Sequence, residues 1–134
     1  MNTKNILTVI GTIMGLQAIA IFAGAESITT EAFAALKPDA TGIQIGTMLH
    51  EAMAVMCMMV AIIVLSARSL EQAAAAKVLM GASIGIAITT AHGFYNLLTT
   101  VVAPPLPILL IMGALAVVGF VTAMKANGGS TDNA

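Results

Sequence analysis

Four long apolar segments dominate this chain and constrain its fold more than any other feature. They run over residues 5–24, 46–66, 77–98 and 106–124. Each is close to the roughly 20 residues that a helix needs to cross the hydrocarbon core of a bilayer. Helices suit such runs because they satisfy their own backbone hydrogen bonds, which lipid cannot do. The sequence therefore predicts a single all-α domain, a four-helix transmembrane bundle.

The composition supports this interpretation over a soluble helical domain. The chain is 59% hydrophobic and only 8% charged, whereas soluble domains have about 25% charged residues. Its net charge is −1 and it has no basic run, which argues against binding nucleic acid, since that is bound through clustered Lys and Arg. Cys57 is the one cysteine, so the chain has no internal disulfide. The sequence also lacks the common catalytic and nucleotide-binding motifs, which leans against an enzyme.

The segments between and after the spans have their own patterns. Residues 25–45 are the longest connection and predict a short helix on the outer face, with Ser27 and Thr29 as capping residue types and an end near Pro38. The other joints are short. The tail, 125–134, is rich in Gly and polar residues, which is typical of a flexible terminus.

The first segment has some features of a secretory signal. It carries one lysine, an apolar core and Ala-Gly-Ala before Glu26. A signal core usually has about 7–15 apolar residues, whereas this core is nearer twenty and contains Gln17. We therefore interpret it as a retained first span.

Positive charges predict the orientation of the bundle. Short cytoplasmic loops carry an excess of Lys and Arg. With the N-terminus inside, the cytoplasmic pieces hold Lys4, Arg68, Lys77 and Lys125, and the outer loops hold only Lys37. Both termini are therefore predicted to be cytoplasmic.

Each span also carries a stripe of mainly small residues, which mark close helix contacts in membranes. The first span has Gly11 and Gly15, and the third has Gly81 and Gly85, followed on the same stripe by Thr89, His92 and Asn96. The second and fourth stripes are Gly46, His50, Ala54, Cys57, Ala61 and Met112, Ala116, Gly119, Ala123. Such stripes predict tight packing, either within one chain or between copies.

Well inside the spans, five residues with an imidazole, carboxylate or amide side chain lie in the predicted outer third of the membrane: Gln17, His50, Glu51, His92 and Asn96. At a rise of about 1.5 Å per residue, His50 is roughly 6 Å and His92 roughly 9 Å below the outer ends of their spans. Such residues are costly in lipid and usually face a cavity or a partner. Glu51 is turned about 100° from His50 on the same helix. The five residues are a candidate polar cluster.

Several roles are open to this cluster. Its members could reach interfacial water or hydrogen-bond between helices. His50 and His92 could be axial ligands of haem b. His50, Glu51 and His92 could bind zinc, or copper together with Met53 and Cys57. The cluster could also line a pocket for a lipid headgroup, a quinone or a proton path, roofed by the outer segment.

The layout resembles the DoxX-like group of small bacterial inner-membrane proteins. The resemblance consists of four spans, a longer outer segment after the first and short joints elsewhere, over about 120 residues. It implies a bacterial inner-membrane location and carries over no functional residue. The sequence thus favours a non-enzymatic accessory or structural subunit, oligomeric or bound to a larger partner, or a bundle that binds a lipid-like ligand. The alternative is a redox subunit that binds haem b or quinone.

Overall fold

The computed structural model describes residues 2–128, and over that range the protein consists of helices joined by short turns. Four of the helices are long and apolar enough to cross a membrane, and a short helix lies between the first two of them. This confirms the predicted all-α bundle of four spanning helices. The helices are α1 (Thr3–Ala23), α2 (Ala25–Ala32), α3 (Ala40–Ser66), α4 (Gln72–Thr99) and α5 (Leu106–Gly128).

The spanning helices extend beyond the apolar runs from which they were predicted. α3 begins at Ala40 rather than at 46, because the side chain of Asp39 accepts a hydrogen bond from the backbone N–H of Gly42 at 2.8 Å and caps the helix. α4 begins at Gln72 rather than at 77, through an alanine-rich first turn that favours helix. Both helices therefore continue past the apolar stretch that suggested them.

The last helix includes the start of the predicted flexible tail. α5 continues through Lys125 to Gly128, so residues 125–128 of the predicted tail are helical. The remainder of the predicted tail, 129–134, lies outside the described residues.

The short helix α2 follows α1 almost without a break. It begins at Ala25, directly after Gly24, and not at the capping residue types downstream. The hydroxyl of Ser27 instead donates to the carbonyl of Gly24 at 2.9 Å, and that of Thr29 donates to the carbonyl of Ala25 at 2.8 Å. These hydroxyls lie inside the helix, so the predicted capping role is wrong although the helix itself is present.

The spanning helices pack as two pairs joined through α1. α1 lies along α3 and α4 lies along α5, while α1 also contacts α4 and α5. α3 and α4 touch each other only slightly. The core surrounds α1, with buried residues from all four spanning helices, and includes the fully buried Leu7, Ile10, Val64 and Leu79. Gln72 Nε2 donates to Thr3 Oγ1 at 3.2 Å and joins the starts of α1 and α4 at one end of the bundle.

Three of the small-residue stripes face other helices of the same chain, which is one of the two alternatives that the sequence left open. A Cβ on Gly11 would lie 2.6 Å from Leu65 Cγ, so α1 and α3 approach closely there. A Cβ on Gly119 of α5 would meet Ser83 Oγ of α4. The stripe of α3 is buried at Gly46, Ala54 and Ala61.

The stripe of α4 is the exception, because it does not face another helix of the same chain; packing between copies, the other alternative for this stripe, stays a prediction. Gly81 and Gly85 are exposed, and a Cβ on either would have nothing from residues 2–128 within 4 Å. α4 instead packs through its other side, where Gly119 of α5 and Gly93 of α4 admit close contacts between the two helices. The buried residues of α4 are Ala75, Ala76, Leu79, Ser83, Ile86, Thr90 and Gly93.

Candidate functional site

The predicted polar residues occupy separate places in the structure, and the first of these is the junction of α2 with α3. Gly46 lets α2 approach closely, because a Cβ there would meet Thr29 Cγ2. One turn further along α3, His50 Nδ1 lies 2.9 Å from Thr29 Oγ1 and 2.9 Å from the carbonyl oxygen of Gly46. Thr29 is only 1% exposed. His50 therefore helps to hold α2 on the bundle.

The partners of His50 determine which ring nitrogen carries the proton. The carbonyl of Gly46 can only accept a hydrogen bond, and the hydroxyl of Thr29 already donates to the carbonyl of Ala25 at 2.8 Å. Nδ1 therefore carries the hydrogen and donates to these oxygens. His50 Nε2 is left with the lone pair, so it is the ring nitrogen that can accept a hydrogen bond from a ligand.

Glu51 lies in a different place, on the wall of a cleft between α2 and α3. The cleft has a volume of about 650 Å³ and is open to the surface. Its polar lining comprises two carboxylates, two hydroxyls and an amide, from Glu26, Glu51, Thr30, Thr47 and Gln44. Ala40, Ile43 and Met48 complete the lining. This wall has hydrogen-bond acceptors and negative charge beside apolar surface, which suits a ligand that carries a cationic or donor group on an apolar body.

His92 and Asn96 lie together near the C-terminal end of α4. Asn96 Nδ2 is 3.3 Å from His92 Nε2, and the amide nitrogen can only donate, so Nε2 accepts. The ring of His92 stacks with that of Tyr95 at a centroid distance of 6.3 Å and an interplanar angle of 21°. His92 is exposed on the single chain.

The fifth residue of the predicted cluster is Gln17, and the described residues show whether the members of the cluster bond to one another. Gln17 is partly buried in α1. Within residues 2–128, no hydrogen bond joins His50 or Glu51 to Gln17, His92 or Asn96. A shared ligand site for these residues stays a prediction.

Metal and haem binding have no support in this arrangement. In the described part of the chain, no group of three or more His, Cys, Asp or Glu side chains is placed to hold a metal ion, so His50, Glu51 and His92 do not form a three-ligand zinc site there. Copper binding with Met53 and Cys57 stays a prediction. His50 and His92 bond to different partners, Thr29 and Asn96. Paired axial ligation of haem b by these histidines stays a prediction.

The structure shows two features that were not predicted from the sequence. The first is the contact of Thr29 with His50, since the sequence suggested Thr29 only as a helix-capping residue. Gly46, one turn before His50, could have indicated that another helix approaches closely there. The other feature is an exposed surface on α4, the open face, which we define as Gly81, Gly85, Thr89, His92 and Asn96. None of the described residues fills the space beside Gly81 and Gly85 on this face.

The open face differs from the surfaces that α3 and α5 expose. Those two helices present large apolar side chains of the kind that lipid accommodates. They include Met48, Leu49, Val55, Met56, Met59, Ile62, Ile63, Leu110, Ile111 and Val117, each more than half exposed. The open face instead offers two glycines, a threonine and a His–Asn pair.

Together the fold and these surfaces define a multi-pass membrane protein with four spanning helices. Its apolar helices are compatible with contact to a lipid bilayer. Comparison with protein-family models found no match, and neither the curated proteins nor the solved structures provided one. The proposed function therefore depends on the surfaces of this chain alone.

Proposed function

We propose that the protein is a non-enzymatic subunit of a membrane assembly and that it binds its partner through the open face of α4. The observation that carries this proposal is the placement of His92 and Asn96 on the same face as Gly81 and Gly85, with the glycine space empty. Polar groups within a spanning helix usually face a partner or a cavity rather than lipid, because lipid cannot satisfy their hydrogen bonds.

The helical geometry makes the open face continuous. At about 100° per residue its five members fall within an arc of about 80°. Gly81, Gly85 and Thr89 follow one another at intervals of four residues, the spacing that allows two helix backbones to approach closely. Since the buried side of α4 already packs on the bundle, this face is available to another helix.

The location that we propose is a bacterial inner membrane, with both termini in the cytoplasm. The DoxX-like layout of the spans supports the first part of this proposal. The distribution of positive charge supports the second. One end of the bundle, where Gln72 bonds to Thr3, carries Lys4, Arg68, Lys77 and Lys125, and the opposite end carries Lys37.

Filling the open face should remove the partner. We expect the wild-type protein, extracted from its native membrane in mild detergent, to have a mass above that of one chain. The Gly85→Leu variant should have the mass of a single chain, because the leucine occupies the space that the partner helix needs. Native mass spectrometry measures this shift. Ala87→Leu is the matched control, since Ala87 is exposed on α4 but outside the open face. A mass that is unchanged by Gly85→Leu would contradict the proposal.

The cleft between α2 and α3 favours a second candidate function, the binding of a lipid-like ligand with an amine headgroup. Its two carboxylates and its apolar lining complement such a molecule. The cleft is at the outer end of the bundle, where a headgroup would lie in the proposed orientation. This function is compatible with the first, because the cleft and the open face lie on different helices.

Removing the charge of Glu51 should weaken such binding. We expect Glu51→Gln to lower the affinity for phosphatidylethanolamine by about tenfold, the equivalent of one lost charge-assisted hydrogen bond. Lipid titration followed by native mass spectrometry measures the affinity, with phosphatidylglycerol as the comparison lipid. Glu31→Gln serves as the control, because Glu31 is exposed and does not line this cleft. Equal affinities in both variants and wild type would reject this candidate.

A further inference from the structure

We infer that the partner on the open face is a second copy of this chain, with the two α4 helices parallel about a two-fold axis along the membrane normal. This inference rests on the proposed assembly function and names its partner. It follows from the depth of the polar groups on the open face, from their hydrogen-bonding capacity and from the unoccupied space beside Gly81 and Gly85.

Depth is the first step. In the orientation proposed above, every copy of the chain crosses the membrane in the same direction, so two α4 helices that meet are parallel. Equivalent residues of the two copies then lie at the same depth. A second copy therefore brings a His92–Asn96 pair to the level of the first, whereas any other partner would need its own matching polar groups there.

Hydrogen-bonding capacity is the second step. Asn96 Nδ2 donates to His92 Nε2 within the helix, so the hydrogen of that imidazole in its neutral form is on Nδ1. The pair thus retains a donor at His92 Nδ1 and an acceptor at Asn96 Oδ1. Across a two-fold axis each donor can pair with the acceptor of the other copy, which gives two equivalent hydrogen bonds. The surface is self-complementary, as a symmetric interface requires.

Close approach is the third step. A pair of parallel helices with small residues at intervals of four can bring their backbones together. Gly81 and Gly85 leave that space free, with nothing within 4 Å of a Cβ at either position. The polar pair lies further towards the outer end of α4 on the same face. One helix crossing can therefore use both the glycines and the polar pair.

Cysteine cross-linking in the full-length chain tests this arrangement. In a Cys57→Ala background, Gly85→Cys is oxidised in membranes and analysed on a non-reducing gel. We expect most of this variant to run at twice the single-chain mass, because a two-fold axis brings the two Gly85 positions together. Ala87→Cys, on the same helix but outside the open face, should remain mostly single. Adding Asn96→Ala to Gly85→Cys should reduce the cross-linked fraction.

The outcomes separate this inference from the proposed function. If the native complex contains a different protein and is lost in Gly85→Leu, the inference of a second copy is wrong, whereas the proposed assembly function is supported. A single-chain mass together with no cross-link would overturn both. Equal cross-linking of Gly85→Cys and Ala87→Cys would show random collision and also overturn the inference. Should Gly85→Cys be poorly produced, Thr89→Cys tests the same face.

Discussion

Gly119→Ala is expected to lower the stability of the bundle, whereas Gly113→Ala in the same helix is not. A Cβ at Gly119 would meet Ser83 Oγ and would lie 3.3 Å from Ile10 Cδ1 and 3.4 Å from Leu79 Cδ1. These atoms belong to α4 and α1, so the added methyl group presses on the place where three helices meet. A Cβ at Gly113 would make only an ordinary contact, 3.6 Å from Thr90 Cγ2.

The difference between the two variants isolates the packing contact. Both replace a helical glycine with alanine, so the change in helix propensity is shared. Overpacking a close contact costs about 1–3 kcal/mol, and we expect the free energy of unfolding in detergent to differ between the variants by about that amount. Denaturation followed by circular dichroism measures it, with unfolding reversible under the chosen conditions.

A compensating substitution makes this prediction more specific. Ser83→Ala removes the Oγ atom that the new Cβ would meet, so it should recover part of the stability lost in Gly119→Ala. Ser83 Oγ otherwise donates to the carbonyl of Leu79 at 2.8 Å, and losing this bond within one helix should be mild. If the two substitutions prove additive, the contact of Gly119 with Ser83 is not the cause of the loss.

Gly46→Ala is expected to loosen the outer helix α2 and leave the spanning helices folded. The new Cβ would meet Thr29 Cγ2, which forces α2 away from α3 and stretches the 2.9 Å contact of Thr29 with His50. Local overpacking costs about 1–3 kcal/mol. The equilibrium constant for local opening of α2 should therefore increase roughly tenfold to a hundredfold. Amide hydrogen exchange of Ala25–Ala32 measures this increase.

Thr29→Ser provides the corresponding rescue. It removes the methyl group that the new Cβ would meet and keeps the hydroxyl that bonds to His50. The double variant should therefore regain slow exchange in α2. Gly15→Ala is the control, because its Cβ would lie 3.7 Å from Ala61 Cβ in ordinary contact. Fast exchange that persists in the double variant would show that α2 is held by something other than this contact.

The surroundings of His50 show which features of the candidate site could be predicted from the sequence. The angle between His50 and Glu51 follows from the turn of a helix, so sequence reasoning could assign those two residues to different surfaces. The partner of His50 could not be found this way, since Thr29 lies 21 positions earlier in a segment whose folding back on α3 depends on the fit at Gly46.

The sequence by itself determined the all-α class and the four spans, because lipid admits few ways to satisfy a backbone, and it also indicated the inward faces of α1, α3 and α5. Only the tertiary structure decided which side of α4 is buried. Periodicity gives the angles between residues on one helix, but both sides of α4 carry small residues. Which side is buried depends on the shape of the neighbouring helices, and Gly119 of α5 leaves space for the side chain of Ser83. Gly81 and Gly85 are consequently left on the open face.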